Sequence, residues 1–156
     1  MELSDEIMIP APREKVYAAL NDPDVLKDCI PGCEELEKTS DTELEAKVRL
    51  KIGPVKARFG GTVTLDPSQA PEKFSLTGQG NGGAAGFAKG GADVHLTEVE
   101  GGTLLRYEAK AEIGGKLAQL GNRLVQGTAK KLSAQFFADF AERVGEDTAE
   151  PASGDA

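Results

Sequence analysis

Residues 103–144 read TLLRYEAKAEIGGKLAQLGNRLVQGTAKKLSAQFFADFAERV, and within this stretch the apolar period changes from two residues to about 3.6. Thr103, Leu105, Tyr107, Ala109, Ala111 and Ile113 alternate with Leu104, Arg106, Glu108, Lys110 and Glu112, the pattern of a strand with one wet face. From Leu117 the apolar positions recur at Leu120, Leu124, Leu132, Phe136, Phe140 and Val144, one stripe of a helix predicted over 116–144. Lys116, Arg123, Lys130, Lys131 and Glu142 fall off that stripe. At about 1.5 Å per residue such a helix is roughly 43 Å long. Propensity alone does not hold it, so its stripe needs a cover. The only large apolar surface the chain offers is the inner face of a sheet.

The remaining strands are read outward from there. Leu44, Ala46, Val48, Leu50 and Ile52 alternate with Glu43, Glu45, Lys47, Arg49 and Lys51, and Gly53-Pro54 turns the chain. Val55, Ala57, Phe59, Val63 and Leu65 form the returning strand. Short strands follow over 73–78 and 92–99, separated by a Gly-rich stretch, and Glu100-Gly101-Gly102 is a hairpin turn. At the start, Leu3, Ile7 and Ile9 mark a strand in which Asp5 breaks the pattern. Ala11-Pro12 and Asp22-Pro23 then each open a short helix, since Pro fits the first helical position and Asp caps it. No strand–helix–strand alternation runs through the chain, so an α+β fold is expected in place of a doubly wound parallel sheet. The expected domain covers 1–145, with an acidic tail over 146–156 expected to be disordered.

The formal charge is -8, with 26 acidic against 18 basic residues. A nucleic-acid binder needs a basic face, so that partner is not expected. Adsorption to anionic lipid is disfavoured by the same sum. No apolar run approaches the roughly 20 residues that span a bilayer, and no secretory pattern opens the chain, so a cytoplasmic protein with reduced Cys29 and Cys33 is expected.

Chemistry-bearing motifs are few. Gly78, Gly80 and Gly83 match the dinucleotide spacing, but the following 84–91 is too Gly-rich to begin the required helix. Curving of the sheet by glycines is the preferred reading, together with space left for a cavity. Cys29 and Cys33 are four apart and His95 is the only histidine, which does not make a tetrahedral metal site. No metal and no cofactor are expected. His95 should lie on the wet face between Asp93 and Thr97, as a solvated side chain with no catalytic role. Phe137, about 100° off the helix stripe, is a candidate interface residue.

Several segments carry a family resemblance: Ile30-Pro31-Gly32-Cys33-Glu34, Lys51-Ile52-Gly53-Pro54-Val55-Lys56-Ala57, Gly78-Gln79-Gly80, Gly115-Lys116-Leu117-Ala118-Gln119-Leu120-Gly121 and Phe136-Phe137. Taken in order, they resemble the G-subunit family of carbon monoxide dehydrogenase, within the START-like polyketide cyclase superfamily. That resemblance implies a helix-grip fold: a curved antiparallel sheet of about seven strands around one long C-terminal helix, with two short helices after the first strand. It implies an accessory protein without a catalytic residue, partnered with carbon monoxide dehydrogenase or a related molybdenum hydroxylase. Members are associated with recruiting the enzyme to the membrane and linking it to the quinone pool. Some relatives end in a hydrophobic anchor; here the tail is acidic, so membrane contact is expected to be indirect and peripheral. A polyketide cyclase-type enzyme and a lipid carrier with no enzyme partner are the alternatives.

Packing supplies the candidate site. Ala46, Ala57, Gly61, Gly78, Ala92, Ala109 and Ala111 give the inner face many small residues, and the helix adds no aromatic before Phe136. Close-packed interiors meet small residues by close approach or by a void. The void is expected under the N-terminal half of the helix, lined by Phe59, Phe87, Tyr107, Leu117, Leu120 and Leu124. The expected occupant is a hydrophobic small molecule, quinone-like or lipid-like, with the Tyr107 hydroxyl as its polar contact. Leu124 and Phe136 are expected among the most buried helix positions.

Overall fold

The computed structural model describes residues 1–155, with side chains described over 1–145. Seven strands, β1 (Glu2–Ile9), β2 (Cys33–Lys38), β3 (Glu43–Ile52), β4 (Val55–Asp66), β5 (Lys73–Asn81), β6 (Phe87–Val99) and β7 (Gly102–Gly114), form one sheet in the order β1-β7-β6-β5-β4-β3-β2. Every pairing is antiparallel. Helices α1 (Arg13–Leu20) and α2 (Pro23–Cys29) carry the chain from one edge of the sheet to the other, and α3 (Asn122–Asp155) follows the last strand. The Asp22 carboxylate accepts from the Asp24 N–H at 2.9 Å, so Asp caps and Pro opens α2 as expected.

The sequence pattern did not single out β2. Its polar run Glu34-Glu35 spans a register shift between Cys33 and Glu35, which breaks the alternation. It is held as an edge strand by pairing to β3. The chain enters it through Gly32, at φ +75°, where any Cβ would overlap the Arg49 carbonyl oxygen.

The long helix begins later than expected. Gly115–Leu120 is a 3-10 segment, and the α-helix starts at Asn122. Gly115 and Gly121 take φ +70° and +93°, so the chain bends at both ends of the short segment. The α-helix also runs past the Val144 boundary expected from the stripe. The expectation for a tail over 146–156 lies outside the residues whose side chains are described.

Two separate hydrophobic clusters hold the helix. The larger joins Ile9, Val16, Val25, Phe74, Leu96 and Leu105 to Phe140 and Val144 of α3. The smaller joins Ile52, Val55 and Phe59 of the β3–β4 hairpin to Ala85 and Leu117, with Leu120 packed against it. Thr103 is buried, and its hydroxyl donates to the Ala11 carbonyl at 2.7 Å, tying β7 to the chain leaving β1.

Candidate functional site

Between the two clusters the inner face is made of small residues in register. One row runs Ala46, Gly61, Gly80, Ala88 across β3 to β6. The next runs Val63, Gly78, Gly90, Ala111 across β4 to β7. Ala92 and Ala109 pair in the third. α3 comes near the strands chiefly at β1 and β3, so it crosses the curved sheet between supports close to the two edges. Open space lies over this floor at Gly80. A methyl built on Gly80 would have only the Gly60 carbonyl oxygen within 4 Å, and those on Gly61 and Gly78 would meet neighbouring strands first. Val48, Val63, Leu65, Leu76 and, on α3, Leu132 stay half-buried, so solvent reaches this apolar surface. Accessible, contiguous apolar surface of this kind marks a binding site. At one end a cavity of about 470 Å³ opens between β7 and the start of α3, lined by Ala111, Ile113, Ala118, Asn122, Val125 and Gln126.

The six expected lining residues do not gather in one place. Phe59, Leu117 and Leu120 belong to the smaller cluster, with Phe59 and Leu117 buried. They wall one end of the cleft. Tyr107 stands at the other end, its ring stacked on Phe137 with centroids 5.1 Å apart and planes at 19°. Among the described residues its hydroxyl has no hydrogen-bond partner.

Leu124 is not deeply buried. It is 39% exposed and rests on the β3–β4 turn, where a Cβ at Gly53 would lie 2.7 Å from its Cδ2. The later start of the α-helix moves it to the rim. Phe136 is half-buried, and Phe140 takes the deep position instead. Phe137, the candidate interface residue, is half-buried, packed on Tyr107 and edge-to-face with Phe136.

Phe87 is the clearest displacement. It pairs with Asn81 and Gly114, one position out of phase with the inner Ala88, so its side chain belongs to the outer face. There it is 41% exposed, its ring lying over Gly114. It borders an open groove of about 1000 Å³ whose lining joins Glu45, Lys47, Thr62, Gln79 and Lys89 to the small-residue row Ala46, Gly61, Gly80 and Ala88.

Asp5 pairs with Tyr107 in register, which puts one carboxylate on the inner face at the exposed edge of the sheet. It accepts from the Glu6 N–H at 2.8 Å. His95 is half-buried on the outer face, in register with Lys73 and Arg106. Cys29 is buried and Cys33 half-buried. Burial pushes both thiols up from their ordinary value, offset in part by Arg143 at Cys29 and by Lys27 at Cys33. Both are therefore mainly thiols at neutral pH, a poor state for nucleophilic or metal chemistry. Among the described residues no group of three or more His, Cys, Asp or Glu side chains is placed to hold a metal ion.

Comparison with known proteins places this geometry. A conserved protein of Geobacillus kaustophilus is 29% identical over 94% of this chain and 96% of its own, with a TM-score of 0.86. A START superfamily protein of Mycobacterium smegmatis (14% identity, 96% and 97% covered, TM-score 0.67) has the same fold. So has a Streptomyces aromatase/cyclase (9% identity, 94% of each chain covered, TM-score 0.66). The architecture is therefore the START-like helix grip. No curated protein matches the sequence. Residues 6–145 match the family described as the carbon monoxide dehydrogenase G subunit (CoxG).

Proposed function

Because the chain belongs to the CoxG family of carbon monoxide dehydrogenase, we propose that it is a non-catalytic accessory subunit of an aerobic carbon monoxide dehydrogenase or a related molybdenum hydroxylase. It holds a hydrophobic small molecule, quinone-like or lipid-like, in the cleft between α3 and the middle of the sheet, and it helps bring the enzyme to the membrane. It works in the cytoplasm, peripheral to the inner membrane. The described residues include no helix long and apolar enough to cross a bilayer.

The observation that carries the ligand reading is the floor of the cleft. Gly61, Gly78 and Gly80 expose backbone where side chains would otherwise fill the space, while half-buried aliphatic side chains surround it. A flat ring fits against such a floor, and the Tyr107 hydroxyl at one end supplies a polar contact. A plain lipid carrier would share the cleft but not the enzyme partner. A cyclase would have to show turnover of a polyketide.

The test is a titration with a short-chain quinone read by melting temperature. A ligand that binds only the folded state must raise it. Wild type is expected to be stabilised, and Gly80→Leu is expected to lose the shift. The added side chain enters open space, so its own melting temperature should stay near wild type. Equal stabilisation of both proteins would remove the cleft as the site. Co-purification with the molybdenum hydroxylase tests the partner separately.

A further inference from the structure

The groove of about 1000 Å³ along the row Ala46, Gly61, Gly80 and Ala88 takes in one side chain from outside the sheet, Lys27 of α2. α2 stands against both β2 and α3. Val25, Leu26 and Cys29 bury its underside, and Asp28 meets Arg143 of α3 at 2.6 Å, so the helix is fixed in place. Lys27 stays exposed. Its ammonium lies close enough to β2 to act on the Cys33 thiol, and Cys33 pairs in register with the inward Val48. A flexible cation therefore overlooks the β2 end of the cleft.

The other charges around the groove are occupied or turned away. Lys47 meets Glu35 at 3.4 Å and Lys89 meets Glu112 at 3.3 Å. Among the described residues Lys27 forms no ion pair. Leu36 pairs with Ala46 on the inner face, so Glu35, Glu37 and Glu45 leave their strands on the opposite side. No lining carboxylate shares the inner face with Lys27. Most surface lysines have only water beside them. This one stands over a floor of glycine and alanine, with half-buried Leu36 and Val48 beside it. A cation at the rim of an apolar trough matches a molecule with an acidic head and an apolar body.

We propose that the cleft takes a carboxylate amphiphile of the fatty-acid class, its head on the Lys27 ammonium and its chain along the row Ala46, Gly61, Gly80 and Ala88. This rests on the cleft reading above and narrows its lipid-like cargo to an acid. A phosphate head fits less well. It carries up to two charges and is usually met by an Arg fork or several donors, whereas one ammonium answers the single charge of a carboxylate. The formal charge of -8 does not oppose this, because at ordinary salt charges more than about 8–10 Å away are largely screened.

The test is calorimetric titration with decanoate, octanoate and 1-decanol, each below its micelle or solubility limit. Wild type is expected to bind decanoate about 15-fold more tightly than octanoate, the factor for two more buried CH₂ groups. Lys27→Met keeps a long side chain and loses the charge. It should bind decanoate about tenfold more weakly and decanol no more weakly than wild type does. Its melting temperature should stay near wild type, since Lys27 is exposed. Arg106→Met removes one charge from the exposed outer face of β7 and should bind decanoate like wild type. Undiminished decanoate binding by Lys27→Met, an equal loss with decanol, an equal loss in Arg106→Met, or no decanoate binding by wild type would each overturn the proposal. The quinone titration with Gly80→Leu is read separately, so the cleft itself stands or falls on that result.

Discussion

Phe140→Ala is expected to lower the unfolding free energy by about 3–5 kcal/mol, the range for removing a buried phenyl ring and leaving a cavity. The ring is 0% exposed. It stacks on Phe136 with centroids 5.7 Å apart, and it lies in the cluster that joins β1, α1, α2 and the central strands to α3. Few neighbours can shift to refill the space, because they come from elements already fixed by the sheet or by α2. For a domain of this size the melting midpoint should drop by roughly 10 °C. A denaturant or melting curve that overlays wild type would mean that α3 is not anchored at this end.

At the other end of the cleft, Leu117→Ala and Leu124→Ala should separate clearly. Leu117 is 4% exposed among Ile52, Val55, Phe59 and Ala85, so its truncation should cost about 2–4 kcal/mol. Leu124 is 39% exposed and touches a turn, so its truncation should cost under about 1 kcal/mol. Denaturation midpoints of the two variants measure the difference. The reverse order would restore one unbroken helix from Lys116 with Leu124 in its seam.

That contrast shows how far the chain could be read without coordinates. Alternation decides a strand's faces reliably, so β3, β4 and β7 and their inward residues follow from period two alone. The stripe after Leu117 also reads correctly as one face. What it does not reveal is a backbone turn that keeps the stripe's spacing while rotating its first turns. Gly121 followed by Asn122 was the available signal, a positive-φ residue before a helix start. Phe87 was misplaced for a related reason. The alternation fixed by Val94 and Leu96 runs back through the glycines and puts odd-numbered residues outside, but a large aromatic beside a void drew it inward. β2 stayed hidden because its bulge and its run of glutamates erase the alternation.

The small residues of the cleft floor were legible, since register follows once the strands are paired, and they provide the most direct test of the ligand reading. Inner alanines and outer threonines share the same strands. Methyl NMR of the protein titrated with a short-chain quinone should shift Ala46, Ala88, Ala92, Ala109 and Ala111, which face α3. It should leave Thr62, Thr64 and Thr77, which face solvent on the other side, where they were. Shifts confined to the threonines, or none at any methyl up to the solubility limit of the quinone, would contradict a ligand cleft between the sheet and the helix.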